Sequence, residues 1–327
     1  MPKLVVVAIG GNSLIKDAKH QSVAEQYQVA AETCRHLADL VEAGYDLVVT
    51  HGNGPQVGFG LIRSERCSSL LGPVPLDSCV AETQGLIGYM LQQNLENEFR
   101  RRNLSKHSVS VVTEVEVDAE DAAFRRPTKP IGPFLSKEEA EKHALEDGWS
   151  IVEDSGRGFR RVVASPKPVS IVQHEAVRAL IASGFVVIAV GGGGIPVVDE
   201  NGALRGAAAV IDKDRAGAML ATFLGADLLV VSTAVPKVSL NYNKPDQVDL
   251  DVLTTDEARE YMRQGHFPAG SMGPKIEAAV DFVERGGEAA IITSPDKISE
   301  AALGRAGTRI LPGAETGTPG THRGDQR

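Results

Sequence analysis

Leu4-Val-Val-Val-Ala-Ile-Gly-Gly-Asn-Ser13 runs six apolar residues straight into a glycine pair. A continuous apolar run without polar alternation suits a strand buried on both faces, and such strands build parallel sheets covered by helices on either side. The arrangement recurs. Residues 46–50 lead into His51-Gly-Asn-Gly-Pro-Gln-Val-Gly58, and residues 185–190 lead into Gly191-Gly-Gly-Gly194. Further runs at 109–115, 227–232, 289–293 and 308–311 predict strands, with helical patterns between them. Ser22-Val-Ala-Glu25 is a capping box ahead of Ala24, Tyr27, Ala31, Cys34, Ala38 and Val41 at helical spacing, and Gly44 supplies the stop. Ser136-Lys-Glu-Glu139 and Thr254-Thr-Asp-Glu257 repeat the box, and Ser294-Pro295 reads as a cap with proline at the first helical position. The fold class that follows is α/β, a three-layer sandwich around a mainly parallel central sheet.

The chain of 327 residues is long enough for two lobes or one large α/β unit, and its 42% hydrophobic and 24% charged content supports a full core. With 43 acidic against 34 basic side chains the formal charge is −9, which argues against a nucleic-acid partner. No apolar run approaches the ~18 residues of a membrane span. Met1-Pro2-Lys3 enters an apolar strand at once, so no secretion signal is expected. Three cysteines without a CxxC pattern speak against disulfide scaffolding and structural zinc, and a cytoplasmic location is expected. No internal repeat is visible. Residues 118–168 break the alternation with five of the 17 prolines and nine Lys or Arg, and read as an inserted, protruding subdomain or lid. Residues 315–327 read as a flexible tail.

Three glycine turns at the same end of one sheet suggest an anion site. Ligands of open α/β sheets bind at strand ends, and a backbone without Cβ atoms presents its N–H groups at close range. There is no GxxxxGK[ST], so a Walker A site is excluded. Gly52-Asn-Gly54-Pro-Gln-Val-Gly58 misses GxGxxG by one place, which argues against a dinucleotide dehydrogenase, and protein-kinase signatures are absent. Phosphate binding in so acidic a chain needs local cations. Lys129 stands between two prolines on the insertion, Lys213 lies in Val210-Ile-Asp-Lys-Asp214 before a helix, and Lys275 follows Gly270-Ser-Met-Gly-Pro274 at another helix start. A lysine there opposes the helix dipole unless an anion binds beside it. Any one of them alone reads as an ordinary solvated lysine, and the Asp-flanked and Gly-Pro settings are what single out Lys213 and Lys275.

Further stretches complete a set: Pro75-Leu-Asp-Ser-Cys-Val-Ala-Glu-Thr-Gln-Gly85, Pro127-Thr-Lys-Pro-Ile-Gly-Pro-Phe134, Gly156-Arg-Gly-Phe-Arg-Arg161, Gly191-Gly-Gly-Gly-Ile-Pro-Val-Val198, Thr233-Ala-Val235 with Asn241-Tyr242, and Gly265-His-Phe267. With Ala8-Ile-Gly-Gly-Asn12 and the turn at 51–58, this set resembles the carbamate kinase branch of the amino-acid kinase family over nearly the whole chain. The wider family carries a lysine before its first glycine pair; here Ala8-Ile9 stands there, as in this branch, and Lys129 supplies charge from the insertion. Phe159, Ser155 and Gly273 depart from residues common in the branch (tryptophan, alanine and leucine), and none of these removes a charged group.

The resemblance implies an amino-acid kinase fold. Residues 1–210 would form an acid-substrate lobe interrupted by the 118–168 subdomain, and 211–314 a nucleotide lobe. It implies reversible phosphoryl transfer between ATP and carbamate, giving ADP and carbamoyl phosphate, in arginine or purine catabolism. It also implies a homodimer and Mg2+ held mainly by the nucleotide phosphates, with no dedicated metal site on the protein. Carbamate is already an anion, so catalysis reduces to positioning and electrostatics. On this basis Gly10, Gly11, Asn12, Gly52, Asn53 and Gly54 would bind carbamate and the moving phosphoryl group. Lys129, Lys213 and Lys275 would neutralise it, and Asp214 would orient the lysines, with Asp212 beside it. Asp212, Thr233, Tyr242, Gly270, Ser271 and Met272 would line the nucleotide pocket. His51 reads as a loop hydrogen-bonder. Asp77 and Glu82 read as caps or surface acids, Cys34 as core, and Cys79 as unactivated. Arg157, Arg160 and Arg161 either steer anions or form a solvated hairpin. The rivals are a kinase of another acid such as acetylglutamate or a nucleoside monophosphate, a ligand-binding module on the same fold, and a nicotinamide-dependent dehydrogenase.

Overall fold

The computed structural model describes residues 2–11, 14–15, 20–154, 158–268 and 270–313; Asn12, Ser155, Gly156, Arg157 and residues 315–327 lie outside them. The first half runs β1 (Leu4–Ile9), α1 (Val23–Glu42), β2 (Asp46–His51), α2 (Gly54–Cys67), α3 (Leu76–Arg101), β3 (Ser108–Ser110), β4 (Glu114–Val117), β5 (Lys129–Leu135) and α4 (Lys137–Glu146). There follow β6 (Ile151–Glu153), β7 (Phe159–Val163), β8 (Pro168–Ile171), α5 (His174–Ala182), β9 (Val186–Ile188), β10 (Ile195–Glu200), β11 (Ala203–Gly206) and α6 (Lys213–Leu224). The remainder is β12 (Leu228–Ser232), β13 (Val238–Leu240), β14 (Val248–Leu250), β15 (Val252–Thr254), α7 (Thr255–Arg263), α8 (Met272–Glu284), β16 (Ala289–Thr293), α9 (Ile298–Ala302) and β17 (Thr308–Leu311).

Eight strands form the central sheet in the order β15-β17-β16-β12-β1-β2-β9-β3, parallel throughout except for the β16–β17 pair. Its apolar runs feed both faces, as expected. Val5, Val7 and Ile9 pack into one helical layer with Leu37 of α1, Leu91 of α3 and Ile298 of α9. Val6 and Ala8 pack into the other with Leu220 of α6 and Ile276 of α8. Burying each such side chain contributes on the order of 1.5–3 kcal/mol, so two fully covered faces dominate the stability of the body. The capping boxes at Ser22, Ser136 and Thr254 all form, and Gly44 stops α1 with a φ of +90°.

Three smaller sheets flank this body: β11-β10-β4-β8, the hairpin β13-β14, and β5-β7-β6. The last, with α4, is built from residues 129–163. It seats on α2 through a glycine–glycine contact so close that a Cβ on Gly58 would fall inside the backbone of Gly132, with Ile131 packed between Val57 and Leu61.

Two expectations are corrected. The run at 109–115 is not one strand: β3 stays in the central sheet, whereas β4 belongs to the β11-β10-β4-β8 sheet. Gln84 of α3 holds the break: its amide accepts from the Thr113 N–H at 2.8 Å and donates to the Thr113 carbonyl at 3.1 Å, while that carbonyl also accepts from the Ile195 N–H at 2.9 Å at the head of the β4–β10 pairing. Ser294 does not cap a helix backbone; its hydroxyl donates to Asp296, a 3-10 turn occupies Pro295–Lys297, and α9 starts at Ile298.

Candidate active site

From β1 the chain proceeds to β2 on one side, while β12 pairs with β1 on the other. A crevice opens at the carboxyl ends of strands where the order diverges in this way. Here it is a cleft of about 210 Å³. Gly11, Gly52, Asn53 and Gly54 line it from the first two glycine turns, and Lys129 and Arg160 from the protruding sheet. Asp212, Lys213 and Asp214 line it from the start of α6, and Gly270, Ser271 and Lys275 from the start of α8.

The three lysines singled out in the sequence, separated by up to 146 positions, meet on two carboxylates. Lys129 Nζ lies 2.6 Å from Asp212 Oδ2. Lys275 Nζ lies 2.8 Å from Asp214 Oδ2, and Lys213 pairs with the other oxygen of the same carboxylate. Asp212 is also the N-cap of α6, accepting from the N–H groups of Asp214 and Arg215. Burial pushes the Asp212 carboxyl up, but Lys129, with Lys213 and Lys275 behind it, holds it well below the usual carboxylate range. Burial likewise raises Asp214, and Lys213 and Lys275 bring it below its ordinary value. Burial lowers Lys275, which the Asp214 carboxylate more than reverses. Lys213, the more enclosed of the two, stays below its ordinary value because burial and the neighbouring Lys275 ammonium outweigh Asp214. Three ammonium groups against two carboxylates leave the cluster short of one negative charge, which an anionic ligand would supply.

Helix ends add to this. The side chain of Asn53 does not cap α2; its amide donates to Thr83 Oγ1 at 2.9 Å. With proline in the first turn, the N–H groups of Gly54 and Gln56 are left without an intrahelical acceptor. The α8 N-terminus at Ser271 also lacks a side-chain cap. Two long helices therefore start at this cleft without a side-chain cap, although the Pro268 carbonyl accepts from the Gly273 N–H in the first turn of α8, whereas α6 is closed by Asp212.

The glycines divide by task. Gly11 is open, with nothing within 4 Å of a Cβ built on it. A Cβ on Gly52 would sit 3.2 Å from the Lys213 stem. Gly10 lies behind, where a Cβ would meet the Ser232 carbonyl at 2.8 Å. The third turn is not the anion loop its sequence suggests. Gly191 and Gly193 are buried and leave room for His51 and the Ile211 backbone, while Gly192, at a φ of +69°, passes against Asn53 and alone of the four reaches the cleft wall. Its glycines serve close packing beneath the second turn. Thr233, Tyr242 and Met272 stand outside the cleft lining: the Thr233 N–H donates to the Thr293 carbonyl, and Tyr242 is 49% exposed beside the β13–β14 hairpin. His51 is buried with Nδ1 3.1 Å from the Gly52 carbonyl, a loop hydrogen-bonder as read. Arg160 and Arg161 part company, since Arg160 lines the cleft whereas Arg161 pairs with Glu65 at 2.7 Å and stacks on Trp149.

The model of the amino acid kinase family matches residues 3–294. The carbamate kinase of Thermococcus kodakarensis is 46% identical over 312 residues, spanning 94% of this chain and 99% of its own. The carbamate kinase-like protein YahI of Escherichia coli is 48% identical over 315 residues, spanning 95% and 99%. Among solved structures, the carbamate kinase of Giardia lamblia bound to citric acid superposes with a TM-score of 0.92 at 38% identity, covering 95% of this chain and 99% of that one. The same enzyme bound to AMP-PNP gives 0.87 at 39% identity and the same coverage. By sequence and by fold, this chain belongs to the amino acid kinase family, in the branch that holds the carbamate kinases.

Proposed function

We propose that the protein is a phosphotransferase with a carboxyl-group acceptor, a carbamate kinase that interconverts ATP plus carbamate with ADP plus carbamoyl phosphate. The observation that carries this is the convergence of Lys129, Lys213 and Lys275 on Asp212 and Asp214 beside two glycine turns. A carbamate oxygen attacks the γ-phosphorus, the bond to the ADP oxygen breaks, and no proton need move. The barrier is the approach of two anions and the charge spread over the transferring group, which fixed ammonium groups and backbone N–H groups offset. Lys213 and Lys275 flank the phosphoryl path, Asp214 holds their heads apart at fixed positions, and Lys129 brings charge from the subdomain.

Residues 1–210 serve the acid and 211–314 the nucleotide in this reading, with Gly270 and Ser271 at the nucleotide phosphates and Thr233, Tyr242 and Met272 further along the base and sugar. A divalent metal fits as a passenger of those phosphates: Asp212 and Asp214 are already engaged by ammonium groups, and among the described residues no group of three or more His, Cys, Asp or Glu could cage an ion. Mg2+, a homodimer and a cytoplasmic location complete the proposal; no helix among the described residues is long and apolar enough to cross a membrane.

The test is ATP formation from carbamoyl phosphate and ADP with magnesium, run beside a panel of small acids with ATP. Turnover with carbamoyl phosphate is expected. Turnover confined to a different acid, or ATP binding without transfer to any acid, overturns the assignment.

A further inference from the structure

Among the described residues, four cationic side chains line the cleft, and three of them are held by its two carboxylates. The fourth, Arg160 of β7, uses neither. Its Nη1 lies 3.3 Å from Asp154 Oδ2, and its Nη2 donates to the Gly132 carbonyl at 2.9 Å. The guanidinium also stands 5.3 Å from the centre of the Phe134 ring. These three groups belong to the protruding sheet and to Asp154 just after β6, so the fork is held to the subdomain. Its side chain is 14% exposed, against 76% for Arg125 on the surface of the insertion. A solvated hairpin arginine does not look like this.

Contacts order the cleft. Lys275 meets Asp214, Asp214 meets Lys213, and the Lys213 stem lies against Gly52. Gly54 comes next, where a Cβ would stand 3.7 Å from the Pro130 carbonyl and 3.9 Å from Arg160 Nη2. Arg160 thus occupies the end reached last from the α8 start, beside the uncapped N-terminus of α2. With the nucleotide phosphates at the α8 start and the moving phosphoryl at Lys213, the acid falls at Gly54 and Arg160.

We propose that Arg160 positions the acid, its guanidinium receiving the carboxylate of carbamate or the carbamoyl end of carbamoyl phosphate while the lysines hold the phosphoryl group. The inference rests on the function proposed above and names the side chain that recognises the substrate. A planar fork matches a planar two-oxygen group in a way an ammonium cannot, so it selects for shape as well as charge.

Initial rates of ATP formation by the full chain, with carbamoyl phosphate and ADP varied separately, test it in Arg160→Gln and Arg160→Lys. The KM for carbamoyl phosphate should rise about ten- to a hundred-fold in Arg160→Gln and by less in Arg160→Lys, the size of losing a charge-assisted pair. The KM for ADP should move by less than about twofold, and the melting temperature and Trp149 emission should stay close to the parent's, which a change acting by displacing the subdomain would not allow. An unchanged KM for carbamoyl phosphate in a folded variant, or an equal rise for both substrates, overturns the proposal. If Arg160→Gln does not fold, Arg160→Lys, which keeps the stem and the charge but loses the fork, decides by the same criterion. A wild-type chain that makes no ATP sinks the function and this inference together; active wild type with indistinguishable Arg160 variants sinks this inference alone.

Discussion

Lys213 and Lys275 share one carboxylate, so deleting either leaves Asp214 paired and removes one positive charge from the phosphoryl path. Lys213→Ala and Lys275→Ala should each lower kcat by about 10²–10³, the usual loss for one preorganised charge donor. Steady-state turnover of the purified variants checks this, and near-normal rates in both would remove the pair from the mechanism. His51 makes a different prediction. Burial drives its imidazole down to about 4; the Gly52 carbonyl bond works against that and the Lys213 ammonium adds to it. In the unfolded chain the ring titrates near 6.5. Between those values the unfolded state binds a proton that the folded state refuses, so stability falls as pH drops from about 6.5 to about 4, by up to about 3 kcal/mol. Melting temperatures from about pH 7 to about pH 4.5 should decline less steeply in His51→Gln than in the parent. Parallel curves would show that His51 is not the titrating group.

The elements that sequence foretold are those whose signal is local. The buried strands β1, β2, β12 and β16 announce themselves as unbroken apolar runs, and α1, α4 and α7 by capping boxes that form. The lysines were legible because each sits at a Gly-, Pro- or Asp-flanked helix or strand start. What stayed hidden depends on residues distant in the chain. Nothing near Thr113 says that Gln84 will divert its backbone, and nothing in Gly191–Gly193 says that His51 and Asn53 will press on it. Strands of three or four residues, such as β6 and β11, are too short to have a period to detect. Arg160 and Arg161 are adjacent and alike in sequence, and only pairing in the sheet sends one to the cleft and the other to Glu65. The Gly58–Gly132 contact is of the same long-range kind, and it sets how closely the subdomain seats on α2. Gly58→Ala must push β5 outward, at a cost of about 1–3 kcal/mol for an overpacked contact. Since β5 starts with Lys129, the KM for carbamoyl phosphate should rise along with the loss of thermal stability. Gly72→Ala, where a Cβ would meet nothing within 4 Å, is the control and should leave both close to the parent. A Gly58→Ala protein with unchanged melting and KM would show that the helix and strand separate freely.

At the scale of the molecule, the body supplies the glycine turns and the Lys213–Asp214–Lys275 cluster, while the protruding sheet supplies Lys129 and Arg160. The site is complete only when the two are docked. Besides the glycine contact, docking depends on a stack at the far side of β7: Arg161 lies 4.4 Å over the Trp149 ring, Trp149 stacks on His143 at 4.2 Å, and Arg161 reaches across to Glu65 of α2. A groove of about 650 Å³ adjoins this stack. Trp149 is the single tryptophan of the chain, so its emission reports on the contact without labelling. Glu65→Ala removes the tie to α2 and leaves every cleft residue in place. The pair is partly exposed, so its contribution is on the order of 0.5–1 kcal/mol and the KM for carbamoyl phosphate should rise only about two- to fivefold. The KM for ADP should hold, because the proposed nucleotide side belongs to the body. Trp149 emission should shift in the free protein and return towards the parent spectrum at saturating carbamoyl phosphate, since a ligand gripped by both parts favours the docked state in proportion to its differential affinity. If emission shifts but neither KM moves, the Glu65 tie does not govern how the subdomain brings its two cations to the cleft.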